Sequence, residues 1–495
     1  MKPDLSTIKR VGSPTLLSVL ALALTACASS RGLAPEGHLL DAASVHSELA
    51  LSGVALSPAG WPREDWWRAL GDAQLDALVA EGLRGSPSLA SADARLRQAQ
   101  AQAGASDADR KPQLSVSGGY TGVQLPESMV GDTLGGSYGG SGQVMLDFSY
   151  GIDLWGGKRA GWEAAVDRVH AAQVDTQAAR LDLSSAIVEA YVQLDQAWQL
   201  HDVVIGEQDR ASKALELTRQ RRAAGIDSDI QVRQAESRVP AAQQQLQAVQ
   251  QQIDEARNAL AALLGQGPDR GLSIERPKLS PLALQLPSVL PADLLGRRPD
   301  VVAARWRVEA SGKDIASAKT QFYPSLNLTL LGGAINKDIG ELFKSESVLG
   351  VVAPALSLPI FDGGRLRANL AGKDAAYDLA VADYNQKVVD ALREVVDQVN
   401  AMRSLDGQSR AQAQALATVS SAYALAEQRY RAGIGSYLEV LSVQEQLLTA
   451  QQRMTTLQSQ QLLASVKLRR ALGGGFAPAS ATGSTAATVP DSKHS

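Results

Sequence analysis

The chain has 495 residues, of which 45% are apolar but only 4% aromatic, and its net charge is −4. That balance leaves no electrostatic footprint for nucleic acid, and five scattered histidines with a single cysteine offer no metal-ligand spacing. The apolar share is largely Ala, Leu and Val, which favours helices in close contact over one large globular core.

The chain opens on a leader. Lys2, Lys9 and Arg10 precede an apolar run from Leu16 to Leu24, and Leu24-Thr25-Ala26-Cys27 follows. A basic segment, a short apolar segment and small residues before a cut mark residues 1–26 as a secretory signal. No other stretch reaches the roughly 18 apolar residues of a transmembrane helix. Any membrane span of the mature chain is therefore expected to be made of strands. Residues 27–65 hold Ser, Ala, Gly and Pro without a period and read as an extended tether.

Trp61, Trp66 and Trp67 cluster ahead of a helix predicted to start near Asp72. A second helix follows Pro87, from about residue 88 to 110, and stops before Pro112. Two strands come next, over 113–124 and 144–154. In the second, Val144, Leu146, Phe148, Tyr150, Ile152 and Leu154 alternate with Met145, Asp147, Ser149, Gly151 and Asp153. The Gly-rich link 131–142 reads as a mobile loop. From 156 to 223 there is no proline, which predicts one helix about 100 Å long at 1.5 Å per residue. After a tight turn, a helix over 228–264 carries Val232, Ala235, Val239, Ala242, Leu246, Val249, Ile253, Ala256, Leu260 and Leu263 in unbroken 3-4 spacing, a strong coiled-coil signal.

The second half repeats the first. Ala224-Gly225-Ile226 recurs 208 positions later as Ala432-Gly433-Ile434, and Leu264-Gly265 as Leu472-Gly473. Pro87 and Pro112 recur 212 positions later as Pro299 and Pro324. The predicted elements follow suit: a helix over 299–321, a hairpin over 325–360, a long helix over 363–432 and a helix over 436–472. In the last of these, Val440, Val443, Leu447, Ala450, Met454, Leu457, Gln461, Ala464, Leu468 and Ala471 hold the same spacing. Pro354 and Pro359 mark the fourth strand as an edge or bent strand. Repeat 1 thus spans 66–285 and repeat 2 spans 286–473, with a disordered tail expected over 474–495. In each half, a short and a medium helix together match the long one, so each half forms a two-stranded helical column with a β-hairpin. Four strands cannot close a barrel, and open edges are not tolerated in lipid. The chain is expected to oligomerise, with eight or twelve strands left open by the sequence.

Five motifs, in order, carry a resemblance: Trp67-x-x-Leu70-Gly71-Asp72-x-Gln74-Leu75; Arg297-Arg298-Pro299-Asp300-Val301; Phe322-Tyr323-Pro324-Ser325-Leu326; Pro359-Ile360-Phe361-Asp362-x-Gly364-Arg365; and Arg429-Tyr430-Arg431-x-Gly433-x-x-Ser436-Tyr437-Leu438-Glu439-Val440-Leu441. With the duplication and the leader, the chain resembles an outer-membrane efflux factor of the TolC family, lipoprotein branch (OprM/NodT). The resemblance implies an α+β membrane protein: a homotrimer with a 12-stranded β-barrel on a periplasmic α-helical barrel. It would be a passive exit duct, served by a periplasmic adaptor and an inner-membrane pump of the resistance-nodulation-division class. Leu24-Thr25-Ala26-Cys27 resembles a lipobox, which implies a lipid on Cys27 and no other cofactor; Ala28, rather than Asp, points to the outer membrane.

The resemblance also assigns sites. Gly225 and Gly433 allow the positive φ that a reversal between two antiparallel helices needs. Together with Ile226, Ile434, Arg221 and Arg429, and flanked by Arg222 and Arg431, they would dock the adaptor. Leu438 and Ser442 match the aperture of relatives, many of which have Asp at the second position; Glu439 or Glu445 would supply the missing acid. Tyr430, Arg429 and Asp229 are candidates for links that hold the tip shut. Two other readings stay open: a lipid-anchored coiled-coil spacer of the cell envelope, and a duct for type I protein secretion. An enzyme is disfavoured, since neither His-Glu-x-x-His nor Gly-x-Ser-x-Gly occurs.

Overall fold

The computed structural model describes residues 29–41, 61–124, 126, 128, 136, 138–280 and 296–477. The leader, Cys27, residues 42–60 of the tether, most of the 125–137 link and the tail from 478 lie outside the described residues. In chain order the elements are α1 (Ala73–Gly85), α2 (Pro87–Ala108), β1 (Gln113–Gln124), β2 (Tyr138–Ile152), α3 (Gly157–Ala223), α4 (Asp229–Leu263), the short α5 (Pro268–Leu272), α6 (Pro299–Thr320), β3 (Ser325–Asn336), β4 (Val348–Ser357), α7 (Arg365–Arg431) and α8 (Tyr437–Ala471). The duplication is visible in the lengths: α3 and α7 have 67 residues each, α4 and α8 have 35, α2 and α6 have 22. All ten positions of each 3-4 stripe on α4 and α8 are buried or half-buried. Among the described residues, no helix is long and apolar enough to cross a membrane.

The chain divides into two compact units. The first (residues 1–39, 96–171 and 304–384) holds the strands. They form one antiparallel sheet in the order β1-β2-β3-β4. Its register sorts the side chains by face. Val116 pairs with Leu146, Phe148 with Leu330, Tyr150 with Leu328 and Leu330 with Val352, so one face is a continuous apolar surface. Ser115 with Asp147, Ser149 with Thr329 and Asn327 with Ala355 fall on the other face, which is mostly polar on β1 and β2 and turns apolar towards β4 at Leu331, Leu349 and Val351. Leu114, Val116, Val352 and Leu356 on the apolar face are all more than half exposed, an arrangement suited to lipid on one side and water on the other. At the strand-to-helix junction Trp155 and Tyr323 stack at 5.0 Å, with Trp155 Nε1 donating to the Pro324 carbonyl at 2.7 Å.

Three strand limits differ from the sequence expectation, one being the end of β2 at Ile152, two residues short of Leu154. β2 starts at Tyr138, inside the link expected to be a loop. The glycines there are covered by tyrosines across the pair: a Cβ on Gly140 would overlap the Tyr120 phenol, and one on Gly122 would overlap the Tyr138 phenol. Each ring fills the space left by the opposite strand's glycine, so glycine marks a close approach here and not a break. β4 ends at Ser357, which leaves Leu358 and Ile360 outside it; Pro359, with no N–H to donate, ends the ladder. Pro354 lies within β4, an edge strand of this sheet, where proline is tolerated.

The second unit (residues 40–95, 172–303 and 385–495) is built around Leu70, Leu75, Leu78, Ile187, Tyr191, Leu194, Ile253, Leu260 and Ile274, all essentially fully buried. The Leu70-Gly71-Asp72-x-Gln74 motif is its clasp. Asp72 caps α1 by accepting from Gln74 N–H at 2.9 Å, and its second oxygen accepts from the Tyr191 hydroxyl and from Lys278 N–H, both at 2.7 Å. Burial opposes the charge, but the Tyr191 hydroxyl and the backbone donors hold the Asp72 carboxyl below its usual range. Asp72→Ala is expected to destabilise this unit by about 2 kcal/mol, seen as a lower melting temperature.

Arg298, of the Arg-Arg-Pro-Asp motif, ties three elements together. It forks onto Asp300 at 2.7 and 3.1 Å, donates to Glu394 of α7 at 2.7 Å and reaches the Ala471 carbonyl of α8 at 3.3 Å. Both motifs are therefore structural junctions.

Candidate functional site

Both long helices reverse by the same backbone device. After α3, Ile226 N–H donates to the Arg221 carbonyl and Gly225 N–H to the Arg222 carbonyl, each at 2.9 Å. After α7, Ile434 N–H donates to the Arg429 carbonyl at 3.1 Å and Gly433 N–H to the Tyr430 carbonyl at 3.0 Å. Gly225 and Gly433 have φ of +77° and +80°, the left-handed conformation that this helix end needs. Serines then open the next helices. Ser228 N–H donates to Gln231 Oε1 at 2.9 Å, and Ser436 Oγ accepts from Glu439 N–H at 3.2 Å.

The reversals leave aliphatic side chains in solvent. Ile226 is 59% exposed and Ile434 69%; in the first turn of the following helices, Ile230 is 70% exposed and Leu438 65%. Ile230 and Leu438 stand 208 residues apart, so each tip presents the same i, i+4 aliphatic pair. Ser442 and Glu439 are exposed on α8. Glu445 is ion-paired with Arg238 of α4, which leaves Glu439 as the unshared acid of the two considered for this height.

Beneath the first tip lies a buried clasp. The Asp227 carboxylate accepts from Arg221 Nε at 2.9 Å and Nη2 at 3.3 Å, and from the Tyr430 hydroxyl at 2.5 Å. Arg221 Nη1 donates to the Tyr430 carbonyl at 2.5 Å, and its guanidinium carbon lies 4.3 Å from the Tyr430 ring centre. The Thr218 hydroxyl lies 3.0 Å from that of Tyr430. Burial pushes against the Asp227 charge, yet the hydrogen bonds from Arg221 and Tyr430 hold its carboxyl below the ordinary range. Burial first, and the bond to Asp227 second, push the Tyr430 phenol up to about 12. Further along the helices, Gln444 of α8 donates to the buried Glu207 of α3 at 2.6 Å, and Arg210 joins Glu207 to Gln451 at 3.2 and 3.1 Å.

The clasp departs from the sequence expectation at three residues. Tyr430 meets Asp227, not Asp229; Asp229 opens α4, faces solvent and pairs with Arg222 at 2.7 Å. The arginine is Arg221, not Arg429, which is exposed. Arg221 is 8% exposed, so it is withdrawn from the docking surface expected to include it. The physical reason is the turn: Asp227 is outside both helices and can fold back under the last turn of α3. Its counterpart in repeat 2 is Gly435, so only the first tip carries the acid. That difference between otherwise matching turns was the available signal for Asp227. Among the described residues no group of His, Cys, Asp and Glu could hold a metal, and the arrangement is one of non-covalent latching between helical hairpins.

The family model described as "Outer membrane efflux protein" matches residues 78–266 and again 290–474, once in each half. The chain is 32% identical over 480 residues to the multidrug resistance outer membrane protein MdtP of Escherichia coli (strain K12), covering 94% of this chain and 95% of the relative. It is 32% identical over 378 residues to the solvent efflux pump outer membrane protein SrpC of Pseudomonas putida, covering 74% and 78%. Among solved structures it is similar to the outer membrane protein VceC of Vibrio cholerae, with a TM-score of 0.78 and 36% identity over 84% of this chain and 100% of that one.

Proposed function

The chain belongs to the outer membrane efflux protein family, and from that premise we propose that it is the trimeric exit duct of a tripartite efflux system. It is an outer-membrane efflux channel, and the relatives named for drugs and solvent place small molecules first as cargo. The observation that carries the assembly is the sheet. It has one apolar face and one mixed face that is polar on β1 and β2, and it ends in two free edges, β1 and β4. Three copies give twelve strands, and pairing β4 of each with β1 of the next leaves no open edge in lipid.

The tips are the docking end for a periplasmic adaptor, which hands on cargo from an inner-membrane pump of the resistance-nodulation-division class. Ile226, Ile434 and the two glycine turns supply an exposed aliphatic surface, with Arg429 at its rim. Leu438, Ser442 and Glu439 line the aperture, and the Asp227–Arg221–Tyr430 clasp holds the hairpins together at rest. Cys27 is the lipid attachment site. In support, Arg367 donates to the carbonyls of Ser29 at 2.6 Å and Arg31 at 3.1 Å. Ser29 is thus fixed at the first turn of α7, six residues after the exposed Phe361, and Cys27 is two residues, at most about 7 Å of chain, upstream.

The test is the mass and ion conductance of the purified, detergent-extracted protein in a planar bilayer. A conducting trimer whose conductance rises when Leu438 and Ser442 are replaced by glycine is the expected result. A species that neither reaches trimer mass nor conducts would remove the duct and leave a lipid-anchored spacer.

A further inference from the structure

The described part of the N-terminal segment does not hang free. Residues 29–40 run along α7, and side chains of α7 hold the segment's backbone. Arg367 donates to the Ser29 and Arg31 carbonyls. Asp378 Oδ1 accepts from Glu36 N–H at 2.9 Å and Gly37 N–H at 2.7 Å, and Asn385 Oδ1 accepts from Leu40 N–H at 2.8 Å. Leu33 packs on the cluster of Ile315, Phe322, Leu366 and Leu370. Gly37 lies so close that a Cβ would come 3.1 Å from the Asp378 Cα and from the Val381 Cβ.

At 100° per residue, positions 367, 374, 378 and 385 fall within about 20° of one line along the helix. Three of the four grip the segment. The fourth, Asp374, is 6% exposed, and neither of its carboxyl oxygens has a hydrogen-bond partner. The equivalent positions on α3 are Arg159, Val166, His170 and Gln177. Arg159 there is bound to Glu163 of its own helix at 2.8 Å, and His170 stacks on Trp306 at 4.7 Å. The gripping line is therefore peculiar to repeat 2.

We infer that this line of α7 is a docking rail for the N-terminal segment, and that Asp374 is its proton-sensitive position: docked, it carries a proton; ionised, it expels the segment. A buried carboxylate without donors is strongly disfavoured, whereas the neutral acid is tolerated. The charged groups that face it act in both directions. Burial, the leading cause, and Asp378 raise the Asp374 pKa above its ordinary value, while Lys319 of α6 opposes them. Lys373, next to it, is turned to Asp314 at 3.7 Å; Arg31, Glu36, His38 and Asp41 are the ionisable residues of the docked segment. The docked pKa exceeds the released one, so docking is strongest below the released value and is lost as pH rises through the docked value.

Hydrogen exchange of peptides covering residues 29–41, on the full-length detergent-extracted protein from about pH 3 to about pH 8, tests this. In the wild type, exchange corrected for its chemical rate should accelerate with pH, by at most about tenfold per unit. Asp374→Asn should keep the segment protected throughout. Asp378→Ala, which deletes the acceptor for Glu36 and Gly37, should release it at every pH while the sheet stays protected. A flat wild-type profile alongside a fast Asp378→Ala variant would overturn the inference. So would an Asp374→Asn variant that releases the segment at neutral pH, because Asp374 would then be serving as an anion.

Discussion

Asp227→Ala is expected to leave the duct open at rest. The substitution removes three hydrogen bonds at once and strands the Arg221 guanidinium beneath the tip. Breaking a buried pair from one side costs roughly 3–5 kcal/mol. The clasp lies near the end of the helices, so a figure on the order of 2–3 kcal/mol is appropriate, which is roughly 30- to 150-fold in the closed-to-open ratio. The measurement is single-channel open probability, with entry of bulky antibiotics into cells as a second readout. Tyr430→Phe deletes only the phenol bond and is expected to have a smaller effect, about 1 kcal/mol. A pH series separates the clasp from general damage. Asp227 has a depressed pKa, so its stabilisation is complete above the ordinary carboxylate value and is lost only as pH falls through the depressed one. The wild type should therefore open only on strong acidification, whereas Asp227→Asn should be open across the range. An unchanged open probability in both variants would show that the hairpins are held by something other than this clasp.

The second large effect is expected at Arg298. Its side chain is buried, and burial alone would disfavour its charge; the Asp300 and Glu394 carboxylates more than restore it. Arg298→Ala leaves those carboxylates facing each other without their shared cation and frees the Ala471 carbonyl. A loss of about 3–4 kcal/mol is expected, read as a lower unfolding temperature and as loss of heat-resistant oligomer in detergent. Arg298→Lys should recover only part of it, because an ammonium cannot fork onto Asp300 while also reaching Glu394. Gly473→Ala provides an independent check of the same junction. Its φ is +87°, and a Cβ there would overlap the Arg297 carbonyl. If both variants melt with the wild type, the Arg-Arg-Pro-Asp motif has another role.

The long helices were legible because nothing interrupts them and because the 3-4 stripes run for ten positions. The strands were legible where lipid-facing and water-facing residues alternate, as from Val144 to Ile152. Legibility failed where a side chain's meaning depends on a distant partner. Gly139 to Gly142 read as a loop because the ring that fills the space at Gly140 belongs to Tyr120 of the neighbouring strand. Asp229 was expected in place of Asp227 because helical position alone does not tell which acid of a turn folds inward. The docked N-terminal segment left no period in the sequence at all, since α7 holds it through backbone N–H and C=O groups, which every sequence has. Its trace was on the other side of the contact, in the contrast of Asp374 and Asp378 with Val166 and His170.

The crossed pairs Tyr120 over Gly140 and Tyr138 over Gly122 bear on how this protein can change over time. A strand slip of one residue would turn both rings to the opposite face and leave both gaps empty. The four positions thus work as a single unit of inheritance. Either tyrosine can be lost only at the cost of an unfilled hole, and either glycine can gain a side chain only if the ring across from it goes first. Variation at the outer rim should therefore accumulate in the link between the two strands, and chimaeras that exchange that link should assemble when all four positions come from one parent, with both cuts either within residues 123–137 or outside residues 120–140.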